Sequence, residues 1–191
     1  MKQLITLSVI LIFTLVLASC SSKKAITKYQ TQYDFSSINS YSFFERNSAF
    51  TDLQNLNYSM RNRIELAIER GLEEKGFKYK ELDKADIIVG YYLMGRSRKE
   101  LEAYNKGVKY CAYCLTSMDT GKKSGKRDTP QLSPGNLIVD VISPDTKRSI
   151  WRSYYPLRIK DDDNSKEVQE KLIEAIRAML SNVPNLKKEN R

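Results

Sequence analysis

The chain has 191 residues, with 32 Lys and Arg against 23 Asp and Glu, a formal charge of +9 and no histidine. The lack of imidazole excludes Ser-His-Asp and Cys-His nucleophile activation, histidine general acid–base catalysis and His-containing metal sites. The length suits one domain with a substantial core.

Met1-Lys2-Gln3 and the apolar run from Leu4 to about Leu17 read as a secretory signal, too short for a spanning helix. The run ends Leu17-Ala18-Ser19-Cys20, a leucine, two small residues and a cysteine, which is the pattern of the bacterial lipobox. Residues 1–19 are therefore the expected signal peptide, and Cys20 is the expected lipidation site, first diacylated on sulfur. The only non-protein group expected is this covalent lipid, with no other cofactor and no metal. Each buried lipid methylene contributes about 0.8 kcal/mol, so two or three acyl chains make attachment effectively permanent. Ser21 in place of Asp after the cysteine fits sorting to the outer membrane. The expected location is that membrane in a Gram-negative bacterium, lipid-anchored and facing the periplasm.

Cleavage removes Lys2, so the formal balance falls from +9 to +8 in the mature chain. In a secreted protein nucleic acid is not an expected partner. Anionic lipid or envelope glycan are polyanions within reach, and a lysine-rich surface also keeps a domain soluble.

Residues 20–27 read as a short lipidated tether, followed by one domain over 28–184 and a basic tail, 185–191. Tyr29, Thr31, Tyr33 and Phe35 alternate with polar residues, which predicts a strand; Ser40 to Phe44 predicts a second. Met60, Ile64, Ala67, Ile68, Gly71 and Leu72 form a helical stripe. Asn57 or Ser59 is placed to cap its start, Gly76 to end it. Gly71 within the stripe predicts close packing on a sheet. Phe77 to Tyr79 is a short strand, and Ile87 to Met94, almost wholly apolar, is an expected central strand covered on both faces. Residues 97–115 read as an extended arm and 116–134 as a mobile basic loop. Asn136–Ile142 and Arg148–Tyr155 are expected to pair through the turn Ser143 to Lys147. Asn164 with Glu167 fits a capping box opening a last helix, whose buried stripe is Val168, Leu172, Ala175, Ile176 and Met179. The expected fold is α+β: a mostly antiparallel sheet with two helices packed on one face, in a single two-layer domain.

Cys111-Ala112-Tyr113-Cys114 admits three readings: a local disulfide bracing the arm, two free thiols, or a redox pair. A redox pair needs a thiol acidified by a helix start or nearby cations, and no amphipathic helix follows. An oxidising compartment favours the disulfide. A zinc site needs four ligands, and Cys20 is taken by lipid. Gly121 to Arg127 has the wrong glycine spacing for a phosphate loop, and Arg127 stands where Ser or Thr is required. Glu65, Glu69 and Glu73 lie on the solvent face of their helix.

Tyr33 to Phe43, Leu72 to Phe77 ending Lys-Gly-Phe, Ala85-Asp86-Ile87, and Gly135 to Val141 followed by Trp151-Arg152 occur in order behind the lipobox. Together they resemble the bacterial lipoproteins of domain-of-unknown-function family 4136 over nearly all the mature chain. The resemblance implies a small envelope domain with no established activity or catalytic residues. In that context Asp86, Asp140 and Arg152 form a candidate charged cluster. Hairpin geometry is expected to bring Asp140 near Arg152, as a cross-strand pair contributing a few tenths of a kcal/mol. The expected function is non-enzymatic: an accessory or binding protein at the outer membrane with an envelope protein as partner. The alternative is a lipid- or glycan-binding module that uses the Tyr-rich sheet face of Tyr91-Tyr92, Tyr104, Tyr110, Tyr113 and Tyr154-Tyr155.

Overall fold

A computed structural model describes residues 24–44, 56–125 and 132–184. The signal sequence, Cys20, Lys126, Arg127 and the basic tail lie outside the described residues. The strands are β1 Ile26–Tyr29, β2 Ser40–Phe43, β3 Lys78–Tyr79, β4 Ile87–Leu93, β5 Thr116–Ser117, β6 Asn136–Ser143 and β7 Arg148–Pro156. The α-helices among the described residues are α1 Tyr58–Glu73, α2 Arg98–Gly107 and α3 Ser165–Leu180. One sheet holds the strands in the order β3-β2-β4-β6-β7-β1-β5.

The fold is α+β, with two differences from expectation. The sheet is mixed, because β2 runs parallel to both β3 and β4 while the remaining pairings are antiparallel. Helix α1 returns the chain from the far end of β2, so β3 starts beside the start of β2, and parallel neighbours need such a crossover. The second difference is a third helix. Residues 98–107 are helical rather than extended. The Ser97 side chain caps the start by accepting from the Glu100 amide at 3.3 Å, and Leu101, Tyr104 and Val108 form a short apolar stripe.

That helix explains how both faces of the sheet are covered. Ile87, Val89 and Tyr91 of β4 face α1 and α3, where Ile64, Ile68, Leu72, Leu172, Ile176 and Met179 complete the larger core. Ile88 and Tyr92 point the other way, beneath Tyr104 and Val108, with Ile138, Ile142 and Tyr154 beside them. The domain therefore has three layers rather than the expected two: a helix pair, the sheet, and one short helix.

The first strand is shorter than expected and begins earlier. Ile26 and Thr27, assigned above to the tether, pair with Tyr154 and Ser153 of β7, and Ala25 is already buried. After Tyr29 the chain turns, and Phe35 enters the core from a one-turn 3-10 helix, Phe35–Ser37. The start of the expected basic loop is also ordered. Thr116 and Ser117 pair with β1, and the chain folds back through a turn at Gly121 (φ +63°) so that Lys123 lies opposite Thr116. Ser124 is buried and accepts a hydrogen bond from the Lys28 ammonium, clamping this hairpin to the sheet.

Helix α1 is capped by Asn57, whose Oδ1 accepts from the Met60 amide at 2.8 Å, and Gly76 (φ +85°) reverses the chain after it. Gly71 does mark a close approach, but to a helix rather than to the sheet. A Cβ there would lie 2.8 Å from Ile176 Cγ2 and 2.9 Å from Leu180 Cδ1 of α3. Gly71→Ala is expected to destabilise the domain by up to about 2 kcal/mol. Overpacking costs about 1–3 kcal/mol and outweighs the ~1 kcal/mol that alanine gains in helix propensity. Urea midpoints check this; a stabilised variant would mean the α1–α3 contact gives way easily.

Candidate functional site

Cross-strand register puts Asp140 of β6 between Gly90 of β4 and Arg152 of β7. The Arg152 Nε donates to Asp140 Oδ1 at 2.8 Å, and the two side chains are 1% and 0% exposed. An irregularity in β7 makes more of this pair. Val141 pairs with Trp151 but Ile142 pairs with Ser149, so Ile150 is an extra residue. Without a bulge, Ser149 and Arg152 would point to opposite faces. With it they share one face, and the Ser149 hydroxyl donates to Asp140 Oδ1 at 2.5 Å. Ile150 and Trp151 both join the core on the other face.

Helix α2 closes the cluster. Tyr104 donates to Asp140 Oδ2 at 2.7 Å, and Asn105 Oδ1 accepts from Arg152 Nη1 at 2.6 Å. The Ser149 amide donates to the Val108 carbonyl at 2.9 Å, fastening the end of α2 to the bulged strand. Lys109 takes a left-handed φ of 45° as the chain turns back. Tyr110 then lies flat on the guanidinium, 3.6 Å from ring centroid to Cζ, and accepts from Tyr154 Oη at 3.0 Å. A desolvated cation–π contact of this kind contributes about 2 kcal/mol. Arg152 Nη2 has no hydrogen-bond acceptor among the described residues.

Burial disfavours the Arg152 charge, but the Asp140 carboxylate outweighs it and holds the guanidinium pKa above its ordinary value. Burial, reinforced by Asp140, pushes the Tyr104 phenol well up, so it remains a protonated donor. This is an enclosed, hydrogen-bonded ion pair. It meets no solvent and fixes α2 to the sheet.

Asp86 does not belong to that cluster. It precedes β4 and braces the start of β2: its Oδ2 accepts from the Asn39 amide, the Ser40 amide and the Ser40 hydroxyl at 2.8–2.9 Å. Burial alone would raise its pKa; these hydrogen bonds outweigh that and hold it below the usual carboxylate range. A lowered folded-state value means that the brace stabilises above the unfolded value of about 4 and is lost as pH falls through the folded value. Asp86→Asn is therefore expected to flatten the fall of stability from about pH 4 downward. Urea midpoints across that range test it; parallel acid profiles for variant and parent would contradict it.

Cys111 and Cys114 are joined as a disulfide in the turn after α2. Arg148 Nη1 approaches Cys114 Sγ at 3.8 Å. The sheet tyrosines, in contrast, form no open face. Tyr91, Tyr92, Tyr154 and Tyr155 are at most 5% exposed, because helices cover both sides of the sheet, and Tyr104, expected in the sheet face, lies on α2 instead. Tyr91 donates to Glu65 at 2.7 Å and Tyr155 to Glu174 at 3.1 Å. Glu65, expected on the solvent face, is thus buried beside the sheet. Among the tyrosines expected to form the sheet face, Tyr113 alone is well exposed.

Accessible concave surface lies elsewhere. A cleft of about 1040 Å³ opens beside α1 and the β2–β3 edge, lined by Phe43, Phe44, Leu66, Tyr79 and Leu82. Glu65, Glu69, Glu81 and Asp83 border it, with Lys147 as the cation. Alternation within each strand hid this surface, since it is formed between a helix and a strand of two residues. Among the described residues no group of three or more Cys, Asp or Glu is arranged to hold a metal ion, and no helix is long and apolar enough to cross a membrane.

The sequence model of a family described as "Domain of unknown function (DUF4136)" matches residues 25–185. The crystal structure of a DUF4136 family protein from Bacteroides thetaiotaomicron is similar to this chain at a TM-score of 0.56 and 14% identity. The match covers 86% of this chain and 97% of that one. A PDZ domain protein from Parabacteroides distasonis matches at a TM-score of 0.45 and 12% identity, over 92% of this chain and 40% of that one. No curated protein matches the sequence.

Proposed function

The chain belongs to DUF4136, a family of domains of unknown function, and from that premise we propose that it is a lipid-anchored, non-enzymatic accessory or binding protein of the outer membrane. One observation carries the reading. The apolar run ends in Leu17-Ala18-Ser19-Cys20, and the family match starts only a few residues later, at residue 25. A secretory signal, an acylated cysteine and a domain that starts almost at once describe a protein held close to a bilayer. The absence of histidine from the sequence and the enclosure of Asp140 and Arg152 support binding rather than catalysis.

The experiment is fatty-acid labelling with fractionation of the parent chain and Cys20→Ser. The parent should carry label and sediment with the outer membrane; the variant should lose the label and leave that fraction. A Cys20→Ser chain that fractionates like the parent would reject the anchor. Crosslinking in intact cells tests the accessory role, and recovery of no envelope partner above background counts against it.

The alternative, a lipid- or glycan-binding module, moves from the sheet face to the cleft. Its aromatic and aliphatic lining beside four carboxylates suits a cationic or neutral amphiphile better than an anionic lipid. Saturable binding of such a ligand, lost on Tyr79→Ala, would favour this reading.

A further inference from the structure

We propose that the corner of the sheet formed by β1 and the β5 hairpin is a membrane-contact surface that seats on anionic phospholipid headgroups and turns the acidic cleft away from the bilayer. The inference rests on Cys20 being the lipid anchor. Ala25 is already packed in the core, 5% exposed. Five residues from Cys20 to Ala25 span at most about 18 Å when fully extended. A domain of about 160 residues has a radius of gyration near 15 Å, so it is roughly 40 Å across. The tether is shorter than the domain, and the bilayer can be reached closely only from the side where β1 begins.

The chemistry of that side suits a charged bilayer surface. Ile26 and Met118 are 41% and 39% exposed. The Met118 amide donates to the Thr27 carbonyl at 3.0 Å, which sets the turn of the hairpin beside the start of β1. Lys122 and Lys123 are exposed on the returning leg of the hairpin. Lys24 stands 83% exposed, 3.8 Å from Asp119, the acid in this patch. Exposed apolar side chains rimmed by lysines are the composition of surfaces that lie in the headgroup region.

The cleft lies at the opposite edge. Five strand spacings separate β1 from β3 in the sheet order, or about 24 Å at ~4.8 Å each. Glu65, Glu69, Glu81 and Asp83 would be repelled by the anionic surface that attracts the lysines. Both ends of the charge distribution therefore favour one orientation, with the cleft open to the aqueous side.

The test uses the acylated full-length product in vesicles of phosphatidylcholine with phosphatidylglycerol. Met118→Cys and Leu66→Cys each receive a fluorophore, the second site lining the cleft at 56% exposure. A lipid-phase quencher should act severalfold more strongly at position 118 than at 66. Omitting phosphatidylglycerol, or adding Lys122→Gln with Lys123→Gln, should shrink that difference. Equal quenching at the two sites, with the protein acylated and vesicle-bound, would overturn the orientation while leaving the anchor intact. A label at 118 shielded from both lipid-phase and aqueous quenchers would assign the corner to a protein partner and also overturn it. A chain that is never acylated would instead reject the reading of Cys20.

Discussion

Asp140→Asn is expected to destabilise the domain by about 3–5 kcal/mol, the cost of leaving a buried charge without its partner. Against a typical total of about 5–15 kcal/mol, this is enough to leave the protein marginal. An exposed cross-strand pair contributes only a few tenths of a kcal/mol, but full enclosure changes the regime. Arg152 cannot recover water, and Asn105 and the Tyr110 ring supply no countercharge. Breaking the pair should therefore cost far more than replacing it. Asp140→Leu combined with Arg152→Met should be more stable than either single variant, because no buried ion remains. It should stay below the parent, since Tyr104, Ser149 and Asn105 keep polar groups without partners. Urea midpoints of the four proteins decide this; purely additive losses would show that the two side chains are not coupled.

Gly90→Val is expected to lose about 3 kcal/mol or more. A Cβ on Gly90 would stand 3.2 Å from Ile142 Cδ1, 3.4 Å from the Tyr104 hydroxyl and 3.6 Å from Val108 Cγ1. Alanine nearly fits, and Gly90→Ala should cost less than about 1.5 kcal/mol. Valine adds two carbons where Tyr104 passes over the strand to reach Asp140. It would overpack this face and pull the phenol off a charged acceptor, a hydrogen bond contributing about 1.5–3 kcal/mol. Tyr104→Phe on the Gly90→Val background separates the two effects. If the hydrogen bond is already broken, the second substitution should cost little more. A full additional loss would contradict that account.

Elements with long, regular patterns were legible in the sequence. The α1 stripe, the wholly apolar β4 and the Asn164–Glu167 capping box of α3 carry their own signals, and the hairpin brought Asp140 near Arg152, although only the bulge sets the two directly opposite each other. Helix α2 was not legible as a helix because it covers little sheet. Three apolar positions suffice for that, and its charged residues outnumber them. Ser97 followed by Glu100 was the available signal, a capping pair at the start of the stripe. The bulge at Ile150 leaves no mark in the alternation of β7, so the convergence of Ser149 and Arg152 on one carboxylate could not be read. The parallel pairing of β2 was obscured by the brevity of β3, two residues after the crossover. Asp86 shared a charge type with the buried pair but not a location: it precedes β4 and reaches β2, whereas Asp140 of β6 stands opposite Gly90 in the middle of β4. Of the tyrosines read as a sheet face, Tyr91, Tyr92, Tyr154 and Tyr155 are on strands, whereas Tyr104 lies on α2 and Tyr110 and Tyr113 follow it; the unrecognised helix is what buries Tyr92 and Tyr154.

The central claim is that this domain is tied to a membrane through Cys20. Intact-mass measurement of the protein extracted from the outer-membrane fraction tests it most directly. The account predicts a polypeptide that begins at Cys20, lacks residues 1–19 and carries the added mass of a diacylglyceryl group with an N-linked acyl chain. A polypeptide that begins elsewhere, or one whose Cys20 bears no lipid, would contradict it.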